Sequence, residues 1–207
     1  MQNQRLGITS ATFAKGPQAS RMINAIRAKQ VINEHGLDLL DVPQKCLVKE
    51  KVQFADCKRK LPWGYHDTWT VVAQAVEGCD LEDITVPEIK QIVTFVENTA
   101  FQDFGGADMN MIRDKKTNKI TFIDTEDASF YNAGADTKLK LITNLMQRVR
   151  SAMTKDAYDW SCKYYEQVNQ SENNTPIVPI HRNSQYDNPR IDFETVKQEY
   201  KELEGSH

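Results

Sequence analysis

The chain has no apolar run approaching the roughly 18–20 residues that a membrane span requires, so no membrane span is expected. Its first sixteen residues carry no apolar core of the secretory kind, and a cytoplasmic location is the expectation. Basic excess is missing too. Twenty-six Lys and Arg against 29 Asp and Glu leave a net charge of -3, without the electrostatic footprint that nucleic-acid binding demands. Cysteine is scarce: Cys46, Cys57, Cys79 and Cys162 stand far apart, with no CxxC pair or Cys/His cluster to hold zinc. They read as reduced thiols.

What remains is an ordinary globular composition, 40% hydrophobic and 27% charged over 207 residues, enough for one domain or two small lobes. Residues 11–15 predict a short strand closed by Gly16-Pro17, and residues 18–33 a helix, uninterrupted by Gly or Pro, with Met22, Ile23, Ile26 and Val31 on one side. Gly36 ends that helix. A short strand is expected at 46–49, a charged loop over 50–68, and a β-branched strand from Thr68 to Val76. Thr85-Val-Pro-Glu88 is a capping-box pattern that opens a helix to about Asn98, with Ile89, Ile92, Val93 and Val96 spaced for one face. Two short strands, 111–113 and 119–124, flank the turn 114–118 and predict a hairpin. Helices capped by Asp136 and Thr154 follow, then a proline-containing stretch over 169–191 and a charged helix from about Asp192 to Glu204.

The acids at this hairpin are the feature to explain. An antiparallel hairpin sets the start of one strand beside the end of the other. Asn110 and Asp124 should therefore face each other at its open end, with Glu126 close by. An amide and carboxylates converging there make an oxygen-rich site suited to a hard cation such as Mg²⁺. Capping of turns and exposure to solvent are the plainer roles open to the same residues.

The order of elements resembles the protein kinase-like superfamily, including small-molecule kinases related to aminoglycoside phosphotransferases. In that family a helix leads into an Asp-x-x-x-x-Asn catalytic loop, and a hairpin follows that ends in a metal-binding Asp. Gln102-Asp-Phe-Gly-Gly-Ala-Asp-Met-Asn110 stands in the place of the loop, and Phe122-Ile-Asp-Thr-Glu126 replaces the usual DFG region. The resemblance spans about residues 11–150. It implies an α+β fold with a small N-terminal sheet and one helix over residues 1–78, hinge included. Residues 79–204 would form a mainly α-helical lobe containing the catalytic-loop hairpin, and 205–207 read as a remnant tag.

The same resemblance implies ATP and Mg²⁺ as cofactors and phosphoryl transfer to a hydroxyl acceptor, protein or small molecule. Asn110 and Asp124 would hold the metal, with Glu126 a third ligand. Asp103 or Asp108 would be the catalytic Asp, with Asp103 the candidate base, Lys15 the phosphate contact, and Glu77 part of the adenine-holding hinge. The chain departs from the family pattern at three places. No Gly-rich phosphate loop precedes Lys15, residues 18–33 contain no acid to pair with it, and Gly105 stands where the catalytic Asp belongs. A partner chain that completes the nucleotide cover is accordingly among the expected partners. Two other functions stay open: a pseudokinase-like module that binds nucleotide or protein without catalysis, and a DEDD-type 3′–5′ exonuclease. The exonuclease reading rests on Ile123-Asp-Thr-Glu126 with His181 and Asp187.

Overall fold

A computed structural model describes residues 15–53, 65–104, 110–130 and 137–171. The chain begins there with helix α1 (Lys15–Glu34), then β1 (Leu40–Asp41), β2 (Lys45–Gln53), β3 (Tyr65–Ala73) and β4 (Gly78–Cys79). Helix α2 (Val86–Thr99) precedes the hairpin β5 (Met111–Asp114) and β6 (Ile120–Phe122). One-turn α3 (Asp127–Phe130), α4 (Lys138–Val149), a 3₁₀ turn (Arg150–Ala152) and α5 (Lys155–Gln170) complete it. The architecture is α+β.

Helix α1 forms where the sequence predicts it and starts earlier. Lys15 is its first residue, so the expected strand at 11–15 does not reach Lys15; residues 11–14 lie outside the described residues. Pro17 fits inside the first turn, where backbone N–H groups have no helical acceptor to lose. Met22, Ile23, Ala25, Ala28 and Ile32 are buried, and the small alanines let α1 approach its neighbours closely. Gly36 then adopts a left-handed conformation (φ 60°) that a residue with Cβ disfavours, and the helix ends.

β2 and β3 form a two-stranded antiparallel ribbon, Lys45 opposite Ala73 through Gln53 opposite Tyr65, and α1 packs against both strands. The expected loop at 50–68 is therefore partly strand: β2 runs on through Gln53 and β3 starts at Tyr65. A second sheet has the order β1-β6-β5-β4, with β1 parallel to β6 and the other pairs antiparallel. Gly78 is required at its edge, since a Cβ there would lie 2.4 Å from the Ile112 side chain.

Helix α2 begins as its sequence dictates. Both the Thr85 amide and its hydroxyl donate to Glu88 Oε2 at 2.8 Å, while Arg113 donates to Glu88 Oε1 at 2.6 Å. Burial works to raise the Glu88 carboxyl, but the bonds from Arg113 and Thr85 outweigh it and hold the group below its ordinary value. Ile89, Ile92, Val93 and Val96 face the core as their spacing predicts. There Phe95 stacks on Phe122 with centroids 4.2 Å apart, and Phe101 meets Phe122 edge-on at 4.9 Å. Phe122 is thus clamped by the helix before the loop and by the loop itself. That clamp fixes the chain direction out of β6.

Helix α4 is capped by Thr137, whose hydroxyl accepts from the Lys140 amide, rather than by Asp136, which lies outside the described residues. Leu141, Ile142, Leu145 and Val149 form its buried stripe. Thr154 caps α5 as expected. Trp160 stacks on Tyr164 at 5.2 Å and packs half-buried against the core. The helix expected over 192–204 lies outside the described residues. Among the described residues, no helix is long and apolar enough to cross a membrane.

Candidate functional site

The segment leaving β6, residues 123–126, is the meeting point of the two sheets and α1. Thr125 is fully buried at its centre. Its hydroxyl accepts from Lys45 Nζ at 2.8 Å and donates to the Arg21 carbonyl at 2.6 Å, and its carbonyl accepts from Asn24 Nδ2 at 3.1 Å. Lys45 Nζ also donates to the Ile123 carbonyl at 2.9 Å. Helix α1 and strand β2 are thereby both fastened to the residues that flank Asp124.

Two cations and two carboxylates surround this knot. Arg21 donates to Glu126 Oε2 through one guanidinium nitrogen, while the other lies 3.8 Å from Asp124 Oδ1. The Glu126 amide donates back to Asp124 Oδ1 at 3.1 Å, which fixes the rotation of that carboxylate. Lys45 is only 5% exposed. Burial pushes its ammonium down to about 8; Asp124 and Glu126 oppose the fall, and Arg21 adds to it. An amine whose pKa is brought down by burial beside acids is a common feature of working sites.

Each expected site residue has a definite place. Asn110 accepts at its carbonyl from the Ile123 amide at 2.9 Å, and Met111 is registered with Phe122. Asn110 therefore lies opposite Ile123, one residue short of the direct Asn110–Asp124 facing predicted from the hairpin. Asp103 is half-buried and accepts from Ser129 Oγ at 3.1 Å. The adjoining Gln102 is pinned by its amide to the Ser129 carbonyl at 2.9 Å and by its own carbonyl to Asn144 Nδ2 at 3.1 Å. Asp103 is thus tied to the chain only a few residues past Thr125. Asp108, His181 and Asp187 lie outside the described residues.

Glu77 is 70% exposed at its side chain, and its carbonyl already accepts from the Lys115 amide at 2.9 Å, so that backbone group is engaged within the sheet edge. Lys15 opens α1 instead of sitting on a strand. The lysine that the fold brings beside Asp124 is Lys45, which sequence reasoning passed over. Thr125 was missed in the same way, whereas Arg21, open in the sequence to an acidic partner or to solvent, meets Asp124 and Glu126. The alternation of β2 offered no signal for Lys45, since the burial of Lys45 with Leu47 and the exposure of Cys46 and Val48 run against an apolar-inside pattern.

Asp124 offers a carboxylate to a hard divalent ion, which is ordinarily held by one or two carboxylates plus substrate phosphates; Asn110, opposite Ile123 rather than Asp124, is brought to the hairpin mouth by its backbone alone. Glu126 accepts from Arg21 through Oε2. Among the described residues, no group of three His, Cys, Asp or Glu side chains converges as a self-sufficient metal cage. After Glu126 the described elements are helical. Comparison of the chain with protein-family models, with curated proteins and with solved structures finds no match.

Proposed function

We propose that this chain is an atypical kinase-like phosphotransferase that binds ATP with Mg²⁺ and transfers a phosphoryl group to a hydroxyl acceptor. The observation that carries the reading is the placement of the buried Lys45 ammonium on the backbone immediately around Asp124, at the end of a hairpin whose other strand starts after Asn110. An anchored lysine, a carboxylate and an amide at one hairpin mouth are the parts that phosphoryl transfer uses for positioning and charge stabilisation. Lys45 takes the phosphate-contact role first expected of Lys15. Two of its N–H groups are bonded to Ile123 and Thr125, which leaves one, among the described residues, to meet a phosphate oxygen.

Mg²⁺, when bound, would neutralise charge on the phosphates, with Asp124 and Asn110 as its ligands. Asp103, oriented by Ser129, is the candidate to accept the acceptor's hydroxyl proton. A partner chain that covers the nucleotide remains compatible with this arrangement.

One observation favours a second reading, a pseudokinase-like module that binds nucleotide without turnover: Arg21 already pairs with Glu126 and approaches Asp124. ADP release from Mg–ATP, measured with Asp103→Asn beside wild type, separates the two. An enzyme loses at least about 100-fold of its turnover in the variant while ATP binding persists. A module binds ATP equally in both proteins and releases no ADP from either.

A further inference from the structure

We draw no further inference here: the strongest candidate, the side-chain cluster of Glu97, Lys138 and Tyr164 beside Trp160 where α5 meets α2 and α4, has its polar groups spent on one another, and nothing in the structure shows which ligand it would take.

Discussion

Lys45 and Thr125, eighty positions apart in the chain, are joined by a 2.8 Å hydrogen bond between a buried ammonium and a buried hydroxyl. The hydroxyl spends its own proton on the Arg21 carbonyl, so one small side chain ties β2 to α1 across the segment that presents Asp124. Position and charge at the site depend on that link.

Removal of the hydroxyl alone should be costly. Thr125→Val keeps the volume but removes one of the two hydrogen bonds of the buried Lys45 ammonium and the added bond to the Arg21 carbonyl, and a lost bond to a buried charged group costs about 1–3 kcal/mol. A loss of about 3 kcal/mol is expected for the variant, read from urea denaturation midpoints. Thr125→Ser retains the hydroxyl and should lose less than about 1 kcal/mol. Equal losses in the two variants would show that packing, not the hydrogen bonds, accounts for the position.

The Lys45 ammonium makes stability depend on pH with a definite sign. Folding lowers its pKa from 10.5 to about 8. Below about 8 both folded and unfolded chains hold the proton, and the folded state bears the whole cost of burying the charge. Between about 8 and 10.5 the unfolded chain binds more protons, so stability attributable to this group rises with pH. Relative to Lys45→Met, the wild type should gain about 3 kcal/mol between pH 7 and 10.5. Urea unfolding of both proteins across that window supplies the check. A constant gap would mean that Lys45 titrates near its ordinary value in the fold.

The sequence makes the scaffold readable where local chemistry decides the outcome. Thr85 and Glu88 start α2, the spacing of Ile89 to Val96 faces it inward, and the turn at 114–118 sets the hairpin. The site is harder to read because its charges are settled over long distances. In β2 the buried face carries Lys45 and Leu47 while Val48 is 37% exposed, the reverse of a simple apolar-inside alternation. Lys45 tolerates burial only because Ile123, Thr125, Asp124 and Glu126 come to it from another part of the chain. The acid-free helix is legible as an anomaly at residues 18–33, but its compensation appears only when Arg21 is seen against Asp124 and Glu126. β1 is too short, at two residues, to leave a periodic signal.

The central claim is that Lys45 and Asp124 form a site for Mg²⁺–ATP. Calorimetric titration of Mg²⁺–ATP into wild type and Asp124→Asn, with EDTA controls, tests it most directly. The account predicts metal-dependent binding by wild type that weakens at least tenfold in Asp124→Asn. No binding by a folded wild type, or equal affinity in the two proteins, would contradict it.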